Sequence, residues 1–193
     1  MTAHIGLDMA HAGWGDPTRR KGLPDRAAGW LEDRVGRGQP SVPVELGAVV
    51  VPASRLSAGE LEALQAVAEV ATDDATRVRH AAGRSYQDLV ALRSGAFPAP
   101  DAVLLPTAEQ VGPAVRLCAS MGIAVVPFGG GTSVVGGVSP LTGSKRAVVA
   151  LDLRRLDRLV SVSEHDLTAV LEPGLRGPAA EALLNAQGFT LGH

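Results

Sequence analysis

The pattern of apolar and polar positions changes character along the chain. Up to about residue 56 it has no sustained period. Gly13-Trp14-Gly15-Asp16-Pro17 is turn-rich, and Arg19-Arg20-Lys21 is a short basic cluster. Trp30 to Val35 reads as a short helix closed by Gly36, and Pro40, Pro43 and Pro52 interrupt any long element. This stretch predicts a leader that packs on a larger body, with Trp14 and Trp30 as its anchors.

Helical periodicity begins at Ser57. Ser57 and Glu60 form a capping box, in which hydroxyl and carboxylate each satisfy a free amide at the helix start. Leu61, Leu64, Ala68 and Ala71 then share one helical face. A second helix is predicted from Ser85, with Leu89 and Leu92 inward and Gly95 as its stop.

From Pro98 the rhythm alternates between strand and helix. Ala102–Leu105 reads as a buried strand, and Thr107 with Gln110 as another capping box. Val111, Ala114, Val115, Cys118 and Met121 continue a helical stripe that Pro113 should kink or restart. Ile123–Val126 and Ala147–Leu151 read as further strands. Strand, helix and strand in this order predict a βαβ unit with parallel pairing. Leu159–Ser163 and Leu167–Leu171 alternate around Glu164-His165-Asp166, which predicts an antiparallel hairpin. Gly177-Pro178 opens a last helix with Ala179, Ala182, Leu183 and Ala186 inward. The chain thus divides into a partly helical leader, residues 1–97, and an α+β domain, residues 98–193.

Composition narrows the class. Hydrophobic residues are 46% of the 193 but aromatic residues only 3%, so the core must be built from Ala, Val and Leu. A formal net charge of −2 offers no basic surface for nucleic acid. The single cysteine, Cys118, fits a reducing compartment and reads as a buried, inert thiol. No secretory leader or membrane-length apolar run is evident, so a cytoplasmic protein is expected. The histidines His4, His11, His80, His165 and His193 have no ligand spacing, and no metal site is expected. His80, between Arg79 and Arg84, is read as a surface or packing residue. The mixed charges of Asp152 to Arg158 read as a solvated face.

The chemistry concentrates in Pro127-Phe128-Gly129-Gly130-Gly131-Thr132-Ser133-Val134-Val135-Gly136-Gly137. Three consecutive glycines directly after a buried strand are costly unless the backbone needs them. They allow positive φ and close approach of a ligand, and consecutive amides can form an anion-binding concavity. Thr132 and Ser133 add hydroxyls. A P-loop would need Lys and Ser/Thr where Gly137 and Val138 stand. A dinucleotide fingerprint counted from Gly129 would place its last glycine at Val134, and no helix follows. The loop therefore suits a phosphate or pyrophosphate but fits neither of these nucleotide motifs.

Val126 to Val134 resembles the pyrophosphate loop of the vanillyl-alcohol oxidase/p-cresol methylhydroxylase (PCMH) superfamily of FAD proteins. Ala99 to Thr107, Leu151 to Leu156 and Glu172-Pro173-Gly174 are similar to the text that flanks it. A narrower resemblance, to alkyldihydroxyacetonephosphate synthases and their bacterial relatives, rests on Gly13 to Pro17, Arg79-His80, Gly83 to Tyr86, Asp88-Leu89, Leu92 to Gly95 and Gly188 to His193.

The resemblance implies an α+β fold, the first lobe and the start of the second of a PCMH-type FAD-binding domain. It implies that Pro127, Phe128, Gly129, Gly130, Gly131, Thr132 and Ser133 bind FAD, with Val134, Gly136 and Gly137 as neighbours. Some superfamily members attach FAD through a loop histidine; Thr132 stands there, so non-covalent FAD is implied. The implied activity is ether-lipid synthesis from acyl-dihydroxyacetone phosphate and a fatty alcohol. The alternatives are an FAD-linked 2-hydroxy-acid dehydrogenase, a phosphate- or nucleotide-binding remnant, and a gene remnant that does not fold alone. A homodimer is left open. The family's substrate cap and acid–base residues would follow His193, so no catalytic residue is named and the chain is read as an amino-terminal fragment.

Overall fold

The structure is a computed structural model that describes residues 9–15, 18, 21–38, 42–95 and 98–192. His4, Asp16, Pro17, Arg19, Arg20, Pro40 and His193, all singled out above, lie outside the described residues. The body is a four-stranded sheet of order β1-β2-β4-β3, formed by β1 (Glu69–Ala71), β2 (Ala102–Leu105), β3 (Ile123–Phe128) and β4 (Ala147–Asp152). β2 and β3 both run parallel to β4, and β1 is antiparallel on β2. Every residue of β2 and β4 is buried, as their unbroken apolar runs require of parallel strands covered on both faces. On one face Ala102, Leu104, Ala147, Val149 and Leu151 pack with Leu64, Ala114 and Cys118. Val103, Leu105 and Ala150 point to the other, as the period of two demands.

The expected βαβ unit is present with one correction. β2 and β3 are parallel but not adjacent, because β4 enters between them. The helix that links them, α5 (Ala108–Ser120), runs unbroken through Pro113. Pro113 lies on the exposed side, where the carbonyl left without an amide faces water, while Ala114 and Cys118 hold the helix to the sheet. Thr107 N–H donates to Gln110 Oε1 at 2.9 Å, as the predicted box requires.

α2 (Ala58–Gln65) begins at the predicted capping box, with Ser57 N–H donating to Glu60 Oε2 at 2.8 Å. It does not continue to Ala71. Residues 69–71 instead form β1 and pair Glu69 with Leu105 and Ala71 with Val103. The open edge of β2 offers these residues a ladder that outweighs their helical spacing. A short helix, α3 (Asp74–Arg79), follows with no counterpart in the sequence reading, started by Asp73 accepting from Thr76 N–H at 2.9 Å. α4 (Tyr86–Ser94) has the predicted Ser85 cap and ends on Gly95 in the left-handed region, φ 70°.

The hairpin is β5 (Leu159–Ser163) and β6 (Thr168–Leu171), a separate two-stranded sheet, with Leu167 in its turn at φ 51°. α6 (Gly177–Asn185) has Pro178 in its first turn but buries Ala180 and Leu184, one position round from the expected stripe. Ala179, Ala182, Leu183 and Ala186 are exposed. Ala180 and Leu184 are themselves four apart, so the spacing allowed either face and docking near β5 selected this one.

In the leader, α1 (Asp25–Val35) closes at Gly36 but buries no residue. Trp30 is therefore no anchor to the body. It lies exposed, with the Arg34 guanidinium 4.0 Å from its ring centre. Trp14 is 63% exposed, yet its indole N–H donates to Arg84 O at 3.3 Å. Ala12 is buried against Ala82, Leu89 and Leu92.

Two buried aspartates clamp the sheet. Asp101 accepts from Arg55 N–H at 2.7 Å, from Arg55 Nη2 at 2.8 Å and from Val148 N–H at 2.7 Å. It therefore joins the leader, β2 and β4 through one carboxylate. Burial pushes the Asp101 carboxyl up, but the Arg55 and Val148 hydrogen bonds outweigh it and hold it below the ordinary carboxylate range. A carboxyl whose pKa is depressed on folding contributes stability above its unfolded pKa and loses it as pH falls. The urea midpoint is therefore expected to fall on acidification through about pH 4, and Asp101→Asn should flatten that slope and cost on the order of 3 kcal/mol at neutral pH. An unchanged acid slope in the variant would contradict this assignment. Cys118 is buried, and burial pushes its thiol up to about 11. Thiol-reagent labelling at pH 8 should be on the order of 100-fold slower in the native chain than in denaturant.

Candidate functional site

The glycine-rich loop leaves the end of β3, and its path is set from beneath. Phe128, 1% exposed, is the last residue of β3 and pairs with Asp152 of β4. Its carbonyl accepts from Leu153 N–H at 2.8 Å. Its ring lies 4.4 Å from the His80 ring, tilted by 51°. The loop then folds back over Phe128. At Gly131 φ is 67°, and a Cβ there would come within 2.7 Å of Phe128 Cζ. Only glycine meets both the left-handed backbone and the missing space.

Asp152, buried at the end of β4, organises this base. His80 Nε2 bonds its Oδ2 at 2.9 Å, Arg154 N–H donates to its Oδ1 at 3.0 Å, and the Arg154 guanidinium closes on both oxygens. His80 Nδ1 bonds Thr76 O at 2.8 Å. Burial pushes the Asp152 carboxyl up, but the bonds from His80 and Arg154 prevail and hold it far below the ordinary range. The expected solvated face is thus corrected at Asp152 and Arg154, while Arg155 is exposed as expected. Arg155 donates to Leu105 O at 3.1 Å and to Glu69 at 2.6 Å. His80 is 2% exposed, a packing residue and not a surface one.

The far side of the loop is held by backbone. Arg84 N–H donates to Ser133 O at 2.6 Å, and a Cβ on Gly83 would overlap that carbonyl. Ser133 Oγ accepts from Gly137 N–H at 2.9 Å, which folds the second half of the loop onto the first. Gly136 turns the chain with φ 73°. Gly129 sits under Pro173, whose carbonyl a Cβ would approach to 3.2 Å. Gly174, next to Pro173, is packed against the carbonyls of Leu153, Arg154 and Leu156, where a Cβ would lie only 2.6–2.7 Å away. Pro127 and Thr132 are exposed, as are Val134 (62%) and Val135 (88%).

Across Gly129, Gly130, Gly131, Thr132 and Ser133, the backbone amides donate to no protein acceptor among the described residues. The loop therefore presents a run of free N–H groups on a rigidly supported turn, with no carboxylate hydrogen-bonded to it. That arrangement can hold an anionic group such as a pyrophosphate. Sequence reasoning located the loop residues but missed the supports. Gly83 and Gly174 were visible only as parts of a resemblance, and the His80–Asp152 pair joins residues 72 positions apart.

Comparison with known proteins agrees with this chemistry. Residues 100–193 match the FAD binding domain family. More narrowly, the chain is homologous to alkyldihydroxyacetonephosphate synthases. It is 36% identical over 137 residues to that of Trypanosoma brucei brucei, covering 69% of this chain and 22% of the relative. It is 31% identical over 170 residues to that of Caenorhabditis elegans, covering 85% and 28%. A solved alkyldihydroxyacetonephosphate synthase structure superposes with a TM-score of 0.82 at 25% identity, over 98% of this chain and 40% of that one. The fold also matches p-cresol methylhydroxylase, with a TM-score of 0.53 at 18% identity over 72% of this chain and 27% of that one. The chain thus carries a PCMH-type FAD-binding fold, and its cofactor is FAD. It spans roughly a quarter of the length of these curated relatives.

The supports can be tested apart from any ligand. Gly83→Ala should lower unfolding stability by about 1–3 kcal/mol, because the added methyl overlaps a fixed carbonyl. A neutral result in urea denaturation would show that the loop is not seated on Gly83.

Proposed function

We propose that Pro127, Phe128, Gly129, Gly130, Gly131, Thr132 and Ser133, with Val134, Gly136 and Gly137 around them, hold the pyrophosphate of FAD without a covalent bond. The observation that carries this reading is the run of unpaired amides from Gly129 to Ser133, stretched over Phe128 on a glycine that tolerates no side chain. Ser133 acts chiefly inside the loop, where its hydroxyl takes the Gly137 amide. Thr132 is exposed and free to donate to a phosphate oxygen. Val134 and Val135 are apolar groups in water that a bound cofactor would cover. No histidine lies in the loop, so the chain offers no imidazole there for attachment.

The activity proposed for the whole enzyme is that of an alkyldihydroxyacetonephosphate synthase. An acyl chain on dihydroxyacetone phosphate is exchanged for a fatty alcohol, with no net oxidation. Bound flavin supplies the reactive ring in such enzymes, and the protein supplies orientation and electrostatics. This chain's own share is to bind the cofactor's diphosphate and fix its depth against the sheet.

FAD titration followed by flavin fluorescence should show saturable binding. Acid precipitation should release the flavin into the supernatant. Gly131→Ala should weaken binding by at least about tenfold, since the methyl forces the loop off Phe128. Equal affinity in the variant, or flavin that stays with the precipitate, would overturn the reading.

A further inference from the structure

A second site lies behind the glycine loop, between the leader and helices α3 and α4. It is a cavity of about 560 Å³, within the range of small-molecule pockets. None of the loop residues 127–137 lines it. Its walls come from three separate stretches: Met9 to Ala12, Pro43 to Leu46, and the helical layer that contributes Val78, Ala82 and Leu92.

Two buried polar atoms at this cavity have no partner among the described residues. They are His11 Nε2 and Arg84 Nε. Arg84 is only 7% exposed. Its other nitrogens donate to backbone alone, Nη1 to Gly83 O at 2.6 Å and Nη2 to Ala10 O at 3.3 Å. Asp88, the acidic residue whose charge reaches it, is already engaged by the Ser85 amide and hydroxyl. A guanidinium taken from water without a hydrogen-bonded counter-ion is a costly arrangement. Arg79 brings a second positive charge to the same cavity, and Glu45 the one negative charge among its described lining residues. Among the lining residues, with His11 neutral, two arginines face one glutamate, and Asp88 sends its negative charge toward Arg84 from outside the lining without a hydrogen bond to it among the described residues. The remaining lining is apolar, with Val44, Leu46 and Val78 among it.

We propose that this cavity binds a small organic monocarboxylate with an apolar body. Its carboxylate would accept from Arg84 Nε and from His11 Nε2, and its carbon chain would lie on Val44, Leu46 and Val78. A carboxylate supplies the acceptors that Arg84 Nε and His11 Nε2 lack. An apolar body uses a surface that an inorganic anion would leave bare. Desolvation, then the charges of Arg84 and Arg79, hold the His11 imidazole below its ordinary pKa, against an opposing push from Glu45. An anion bound beside it reverses the sign of its surroundings, so occupancy is expected to raise the His11 pKa.

The test uses hexanoate, with hexanol and inorganic phosphate as comparisons, titrated into the full chain by calorimetry and by NMR of labelled histidine rings. Hexanoate should saturate with Kd of about 0.1–1 mM and shift the His11 titration to higher pH. Arg79→Gln and His11→Gln should each weaken it by about fivefold, with unchanged thermal unfolding showing that the variants are folded. Arg84 is left intact because it also holds Ala10 and Gly83. Saturation by hexanol or phosphate with equal affinity, identical affinity in both variants, a His11 titration that hexanoate does not move, or no hexanoate binding up to about 10 mM would each overturn the proposal. None of these outcomes depends on FAD.

Discussion

The buried carboxylate of Asp152 is the constraint on which the cofactor end of this molecule depends. It ends the central strand, so its position is fixed by β2 and β3 on either side. It cannot stay ionised there without partners, and it draws in His80 from the helical layer and Arg154 from the next turn. His80 then sets the ring of Phe128, and Phe128 sets the floor beneath Gly131. A charge that must be satisfied inside the protein is thus converted into the shape of a loop outside it. Removal of one partner from such a cluster leaves an uncompensated buried charge, which makes the geometry hard to relax.

The loop has little stabilisation of its own. Its amides from Gly129 to Ser133 make no internal bond, and its inner stitch is the Ser133 hydroxyl on Gly137. Its rigidity comes from three close approaches, at Gly83, Gly131 and Gly174, where there is no space for a Cβ. Preorganised donors of this kind bind anions well because little order remains to be imposed on binding. The leader takes part in the same arrangement. Arg84 joins Ser133 of the loop to Ala10 of the leader, and Asp101 joins Arg55 to β4.

Most of the element boundaries were legible because local chemistry marks them. The caps at Ser57, Ser85 and Thr107, the stops at Gly36 and Gly95, and Pro178 at the start of α6 act within one helical turn. The misreadings share one cause. Residues 69–71 became a strand because the edge of β2 lay beside them, α6 turned by one position because of where it docked, and Pro113 was tolerated because its side of α5 faces water. Each depends on a neighbour distant in sequence.

The amino-acid sequence by itself determined the chemistry of the site: three glycines after an apolar strand, two hydroxyls and no histidine, a composition suited to a diphosphate. It also determined the class of fold, since unbroken apolar runs alternating with capped helices have few other solutions. Only the tertiary structure decided the strand order with β4 in the middle, the burial of Asp152 and His80, and the unpaired nitrogens of His11 and Arg84. The reason is physical. Helix caps and glycine conformations are local energies that a few adjacent residues contain. Burial, and the charge pairing it compels, exist only once segments far apart in the chain have shut out the water between them.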